Sequence, residues 1–104
     1  MIFLTPNTIG YGFKIRHMGN IIVNGNSMGN YCGVTMGVVV GNKDGQENRP
    51  SIGNNVSLTL GCKIIGKITI GDNVTVAPNS VVVKDVPDNA VVSGIPATIL
   101  KLKG

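Results

Sequence analysis

Aliphatic side chains return at every sixth position between residues 52 and 87 of the chain. The positions of this register are Ile52, Leu58, Ile64, Ile70, Val76 and Val82. A second register of small or branched residues follows four positions later, at Val56, Cys62, Ile68, Val74, Ser80 and Val86. A six-residue period matches neither the helical repeat nor a long alternating strand, whereas a short strand followed by a turn, repeated as a solenoid, produces it.

Turn-forming residues support this prediction. Gly53-Asn54-Asn55 and Gly71-Asp72-Asn73 follow aliphatic positions, and Gly, Asn and Asp tolerate the positive φ angles of tight corners. Three units would close one triangular coil of about eighteen residues, whose strands pair with those of the coils above and below. The pattern therefore predicts an all-β parallel β-helix in which residues eighteen apart are neighbours.

The first half of the chain is less regular. The period continues through Ile9, Ile15 and Ile21 and then shifts by one residue to Met28, Val34 and Val40, which predicts a longer corner at Asn26-Ser27. The pattern lapses between Val40 and Ile52, where a polar loop over residues 41–51 is expected to project and to take part in function. Residues 87–104 form a tail that is expected to turn back over the last coil, and residues 1–104 are expected to form a single domain.

Composition excludes several classes of protein. The net charge of +4 comes from scattered basic residues, which argues against nucleic-acid binding and agrees with a few cations around a phosphorylated cofactor. The first residues lack a basic lead and a long apolar run, so neither a signal peptide nor a membrane span is expected and a cytoplasmic location is predicted. Cys32 and Cys62 are predicted to be buried, reduced thiols in different columns.

His17, the one histidine in the chain, is the first candidate for chemistry. It follows Ile15 by two residues and is therefore predicted to lie at a corner, outside the core. An imidazole there is suited to act as a general base at neutral pH. A single histidine excludes a three-histidine zinc site, and no other ligand cluster is visible in the sequence, so no catalytic metal is expected.

Two motifs resemble a known family. The segment from His17 to Asn24, HMGNIIVN, resembles the H-x-G-x-I-V-V-N stretch of hexapeptide-repeat acetyltransferases in the serine acetyltransferase-like branch, especially polysaccharide and capsule O-acetyltransferases. Residues 79–87 and 93–97 resemble the terminal coil and tail that hold coenzyme A in that family. The resemblance implies a left-handed parallel β-helix, acetyl-CoA as cofactor, and a homotrimer whose active sites lie between subunits, with His17 facing the cofactor.

The resemblance also implies which residues form the site. When the projecting loop is counted as one six-residue unit, Asn42, Leu60 and Pro78 form a corner column that holds the pantetheine arm. The family pattern carried onto this sequence adds Val83, Lys84 and Lys101 as cofactor contacts, with Lys101 near a phosphate. Asn24 and Arg49 are predicted to contact the acceptor, and Arg49 precedes Pro50 where the family has a second histidine.

The acceptor is predicted from two departures. The family's serine acetyltransferases have one acidic residue directly before the catalytic histidine and another upstream of it. This chain has Arg16 at the first position, and no carboxylate precedes Ile9. These differences favour a saccharide hydroxyl over serine, since a sugar has no ammonium group to pair with an acid. An amino-acid O-acetyltransferase and a non-catalytic trimeric scaffold are the alternatives.

Overall fold

The computed structural model describes residues 1–16 and 19–103 and folds them into three sheets that form the sides of a triangular prism. Sheet A contains β1 (Ile2–Leu4), β3 (Ile21–Val23), β6 (Val39–Gly41), β9 (Lys63–Ile65) and β12 (Val81–Val82). Sheet B contains β4 (Ser27–Met28), β7 (Ser51–Ile52) and β10 (Thr69–Ile70). Sheet C contains β2 (Lys14–Ile15), β5 (Gly33–Val34), β8 (Ser57–Leu58), β11 (Thr75–Val76), β13 (Ala90–Gly94) and β14 (Ala97–Leu102).

The strands pair in parallel between successive coils, as the six-residue period predicts. Ile52 pairs with Ile70, 18 residues later. The pairs Leu58 with Val76 and Ile64 with Val82 repeat that spacing in the other two sheets. The last strand, β14, turns back and pairs antiparallel with β13.

The coils of the first half have other lengths. Val34 pairs with Leu58, 24 residues later, and Val40 pairs with Ile64 at the same spacing. The projecting loop therefore adds six residues to its coil. The prediction that counts the loop as one six-residue unit is therefore wrong. It aligns Val40 with Leu58 on sheet C, whereas Val40 lies on sheet A.

The predicted slip at Asn26-Ser27 also needs correction. Val23 pairs with Val40, whereas Ile21, which is also fully buried, pairs with Ile2 in the second register. Eight residues separate Ile15 from Val23, whereas six separate Val34 from Val40, the residues paired with them in the next coil. The following step, from Val23 to Met28, is five residues long. The extra residues thus lie in the connection that contains residues 17 and 18.

Asparagine and aspartate side chains hold the corner between sheets B and C. Asn55, Asn73 and Asn89 adopt φ angles of 58°, 57° and 64°. The Nδ2 of Asn55 donates to Oδ1 of Asn73 at 2.8 Å, and the Nδ2 of Asn73 donates to Oδ1 of Asn89 at 3.1 Å. Gly53 carries no side chain because a Cβ there would collide with Oδ1 of Asp72 in the next coil. This corner is a structural ladder.

Both predicted registers point into the prism. Every position of the main register from Ile52 to Val82 is buried, and in the second register Ile68 is only half-buried. Cys32 and Cys62 are buried free thiols, as predicted, and they occupy different columns. Across residues 1–16 and 19–103, no helix has the length and apolar character needed to cross a membrane.

The outer faces of the three sheets differ in chemistry. Sheet B presents Ser27, Ser51 and Thr69 in one row, and sheet C presents polar residues such as Lys14, Ser57 and Thr75. Sheet A instead presents mainly apolar side chains, namely Phe3, Ile22, Val39, Ile65 and Val81, with Lys63 as the charged residue of the same row. An outer face of this kind is typical of a protein interface.

Candidate active site

An apolar groove follows the corner between sheets C and A, which we call the groove corner. It has a volume of about 490 Å³. Its lining residues are Arg16, Thr35, Met36, Thr59, Leu60 and Pro78. The groove therefore crosses four successive coils along one edge of the prism.

The repeat explains how the groove is built. Met36, Leu60 and Pro78 each come two residues after a buried residue of sheet C, so the turns place them at the same corner. Met36 and Leu60 are 41% and 45% exposed, which is unusual for large apolar side chains at turn tips. The apolar groove wall is thus presented to solvent along the edge of the prism.

Lys63 lies beside this corner on sheet A. Its Nζ donates hydrogen bonds to the backbone oxygens of Gly37 at 2.8 Å and of Gly61 at 2.6 Å. The ammonium group therefore caps two turns of the groove corner. This leaves the neighbouring outer face of sheet A mainly apolar.

His17, the predicted general base, lies outside the described residues, and so does Met18. The residues on either side of them belong to the groove corner. Arg16 lines the groove, and its backbone N–H donates to the oxygen of Val34 at 2.9 Å. Gly19 packs against Met36, because a Cβ at Gly19 would stand 2.7 Å from the Met36 Cβ.

The predicted cofactor residues fall into separate groups. Leu60 and Pro78 lie together in the groove. Asn42 does not join them, because Val40 pairs with Ile64 and Asn42 therefore lies level with Gly66 at the corner between sheets A and B. Met36, and not Asn42, lies in the corner column with Leu60 and Pro78.

The corner between sheets A and B, which we call the loop corner, also holds Val83 and Lys84. Both follow β12, and Val82 pairs with Ile64 just as Ile64 pairs with Val40. Lys84 therefore lies level with Gly66 and Asn42, two residues after the paired strand positions. Three predicted cofactor residues thus share the loop corner, on the other side of sheet A from the groove.

Lys101 lies away from both corners. It lies on β14 and pairs with Val91 of β13. The other end of β14, where Ala97 pairs with Gly94, is the end near the groove corner. Four residues of extended chain separate Lys101 from Ala97, roughly 13 Å. The structure therefore does not bring Lys101 to the other predicted cofactor residues.

The two predicted acceptor residues are brought together. Nη1 of Arg49, in the projecting loop, lies 3.4 Å from Oδ1 of Asn24, which also accepts a hydrogen bond from Thr5 Oγ1 at 3.0 Å. Nε of Arg49 is buried and has no hydrogen-bond partner among residues 1–16 and 19–103. Buried donors are normally satisfied, so this nitrogen is an exception within the fold.

Arg49 also lines a polar pocket of about 370 Å³ at the loop corner. The other lining residues are Asn26, Glu47, Ser51, Lys67, Ile68, Thr69 and Asp85. Asp85 accepts a hydrogen bond from the backbone N–H of Thr69 at 2.8 Å. Cations and carboxylates thus line one pocket, in contrast to the apolar groove.

Burial changes the acidity of both thiols. Desolvation raises the pKa of Cys62 to about 12, and it also raises the pKa of Cys32. Both thiols therefore remain protonated near neutral pH, and neither is suited to nucleophilic chemistry. Among residues 1–16 and 19–103, no three His, Cys, Asp or Glu side chains come together as a group that could hold a metal ion.

Four residues that line the groove, Arg16, Thr35, Met36 and Thr59, are not among the site residues predicted from the sequence. Met36 stands two residues after Val34 as Leu60 stands two after Leu58, but the miscounted loop concealed this correspondence. Arg16 was noted only as a departure from the acidic residue of the family. Its place in the groove follows from the position it shares with Thr35, directly after a paired residue of sheet C.

Known proteins resemble the chain in both sequence and fold. The serine acetyltransferase of Synechococcus elongatus is 37% identical over 99 residues, which cover 92% of this chain and 41% of that protein. The serine acetyltransferase of Staphylococcus xylosus is 38% identical over 101 residues, which cover 92% of the chain and 46% of that protein. The chain therefore spans less than half the length of these relatives. No protein-family model matches it.

Solved structures agree. The Neisseria gonorrhoeae serine acetyltransferase superposes with a TM-score of 0.82 at 33% identity. The superposition covers 91% of this chain and 38% of the Neisseria chain. A Brucella abortus serine acetyltransferase in complex with coenzyme A gives a TM-score of 0.74 at 27% identity, over 93% of this chain and 40% of that one. The chain shares the hexapeptide-repeat fold of these enzymes. The predicted left-handed β-helix is confirmed.

The comparisons overturn the predicted acceptor. The relatives are named serine acetyltransferases, so they support the amino-acid alternative, and the prediction of a saccharide acceptor is wrong. The special resemblance to polysaccharide and capsule enzymes is not supported by them. The absence of an acid before His17 was given too much weight, because it describes one position of the acceptor site.

Proposed function

We propose that this chain carries the transferase site of an acetyl-CoA-dependent O-acetyltransferase that acetylates the hydroxyl group of a serine-like amino acid. The observation that carries the proposal is the similarity to serine acetyltransferases over 92% of the chain. The apolar groove supports it, since Arg16, which directly precedes His17, lines the groove.

His17 acts as the general base in the proposed reaction. It removes the proton of the acceptor hydroxyl while the oxygen attacks the thioester carbonyl carbon. The C–S bond then breaks, and the protonated imidazole returns its proton to the departing thiolate. The products are the O-acetyl ester and free coenzyme A, and no redox partner or metal ion is needed.

The groove suits the pantetheine arm of acetyl-CoA. Met36, Leu60 and Pro78 offer an apolar wall along the prism edge, and burial of apolar surface favours binding of a long, largely uncharged arm. Asn42, Val83 and Lys84 remain predicted cofactor contacts on the loop corner. Lys101 remains a predicted phosphate contact, although its position on β14 gives it little support.

A homotrimer would unite the two corners. The apolar outer face of sheet A lies between the groove corner and the loop corner, and it is the face best suited to pack around a three-fold axis. Contacts around such an axis are heterologous, so the groove corner of one copy meets the loop corner of the next. Each site would then take His17 from one subunit and the projecting loop from its neighbour.

The loop side is proposed to form part of the acceptor site. Asn24 and Arg49 lie in contact there, and the adjoining pocket contains both cations and carboxylates. An amino acid carries both charges, so a mixed pocket matches it better than it matches a neutral sugar.

The test is a transfer assay on the whole chain. Purified protein is incubated with acetyl-CoA and L-serine, with glucose and other sugars as matched acceptors, and both thiol release and acetylated product are measured. The proposal predicts O-acetylserine in the serine reaction only. Tight coenzyme A binding without product from any acceptor would contradict it and favour a non-catalytic scaffold.

A further inference from the structure

Arg16 is the one charged residue among the described residues that line the apolar groove. The other five lining residues are neutral, and none carries a carboxylate. A guanidinium beside apolar walls is less screened than one surrounded by water, so its attraction for an anion is stronger there. The groove therefore has a single, positively charged point of recognition.

The surroundings of Arg16 direct its side chain. Its backbone is fixed by the hydrogen bond to Val34, and its Nε lies 3.6 Å from where a Cβ of Gly33 would stand. Arg16 also lines a second, polar pocket of about 170 Å³ on sheet C, together with Lys14 and Tyr31. The side chain thus stands where the apolar groove meets a polar surface.

The anion that Arg16 meets can be assigned from its distance along the chain to the proposed base. Arg16 directly precedes His17, the proposed base, in the sequence. In a β-hydroxy amino acid, only the α- and β-carbons separate the hydroxyl from the carboxyl carbon. The phosphates of coenzyme A, in contrast, lie at the far end of the pantetheine arm from the reacting thioester.

We infer that Arg16 is a specificity-determining residue that binds the carboxylate of the acceptor. The inference rests on the proposed function and adds the group that is recognised. The planar guanidinium can form two parallel hydrogen bonds to a carboxylate, which would orient the hydroxyl toward the base. An acceptor that lacks the carboxylate would lose this contact.

The experiment compares L-serine with L-serinamide, which keeps the hydroxyl and the ammonium but has no carboxylate. Arg16→Gln is expected to raise KM for serine roughly 10- to 100-fold, because a charge-assisted hydrogen bond is lost. KM for serinamide and KM for acetyl-CoA are expected to stay unchanged. Arg16→Lys should recover part of the serine affinity, since it keeps the charge but not the planar fork.

Two further variants test the assignment. Lys14→Gln removes the same charge from the same strand and does not line the groove, so it controls for the general field. An equal rise of KM in Lys14→Gln would overturn the inference. The inference would also be overturned if Arg49→Gln lost the preference for serine over serinamide and Arg16→Gln kept it. A third contradicting result would be an Arg16→Gln variant in which only KM for acetyl-CoA rises.

Binding measurements separate this inference from the proposed function. Titration of the unaltered protein with serine and serinamide gives their affinities without turnover. Normal turnover with no response to Arg16→Gln overturns the role of Arg16 alone. Absence of both turnover and serine binding in the unaltered protein overturns the role of Arg16 together with the proposed function.

Discussion

The two corners that flank sheet A differ in nearly every property. The groove corner carries an apolar groove, and Arg16 is the one charged residue among the described residues that line it. The loop corner is polar, contains the twelve-residue step from Val40 to Ile52, and carries charges of both signs. One corner is suited to an uncharged arm, and the other is suited to a small charged molecule.

Neither corner alone has all the parts that an acetyl transfer needs. The predicted base belongs to the connection after Ile15, whereas Asn24 and Arg49 belong to the loop corner. Sheet A separates the two corners within one copy of the chain, and its outer face is the most apolar of the three. In the proposed homotrimer, a neighbouring copy would bring the other corner to each site.

The largest predicted effect comes from the predicted general base. His17→Ala is expected to lower kcat by about 10² to 10⁴-fold, because general-base catalysis is lost. Steady-state kinetics and titration with coenzyme A give the two quantities, and cofactor binding should be nearly intact. An unchanged kcat would remove His17 from the mechanism.

A charge in the apolar wall should have the next largest effect. Leu60→Asp is expected to raise KM for acetyl-CoA roughly 10- to 100-fold, since it replaces an apolar contact with a carboxylate that must be desolvated. The matched control is Thr98→Asp, an exposed position on β14. Equal KM values for the two variants would show that the cofactor does not lie along the groove.

The smallest predicted effect lies in the core that both corners share. The pKa of Cys62 is raised from 9.0 to about 12, so the unfolded thiol loses its proton at a lower pH than the folded one. The free energy of unfolding should therefore fall above pH 9, with a slope from this thiol that approaches about 1 kcal/mol per pH unit. Urea unfolding between pH 8 and 10.5 measures it.

The control for this prediction is Cys62→Val, which keeps a small apolar side chain at the site. It should reduce the loss of stability at high pH, while the raised pKa of Cys32 leaves part of the slope in place. An identical pH dependence in the two proteins would contradict the assigned cause. Neither KM is expected to change, because the Cys62 side chain is fully buried in the core.

The fold could be predicted from the sequence where the period is strict. The positions from Ile52 to Val82 pair at 18 residues because each turn there has the same length. Asn42 was placed at the wrong corner because periodicity cannot count the residues of a projecting loop. The prediction for Ile21 is wrong because Ile21 and Val23, two positions apart, are both aliphatic, so the sequence does not show which of them belongs to the main register. In the structure both are buried.

The site could be predicted only in part. Leu60 and Pro78 were found because they lie in the regular half, where position along the repeat gives position in space. Asn24 and Arg49 were both named, but their contact across the loop could not be derived from spacing. Arg16 and Met36 belong to the irregular half, where corner positions become visible only when the strand pairing is known.

The most direct test of the account is a subunit-mixing experiment with two inactive variants. His17→Ala removes the predicted base and Arg49→Ala alters the loop corner, and the two proteins are unfolded together in equal amounts and refolded. If each site takes one corner from each of two neighbours, half of the sites have an intact histidine and half of those an intact loop, so about a quarter of the activity should return. Recovery of no activity beyond that of the separate variants would contradict a site shared between subunits.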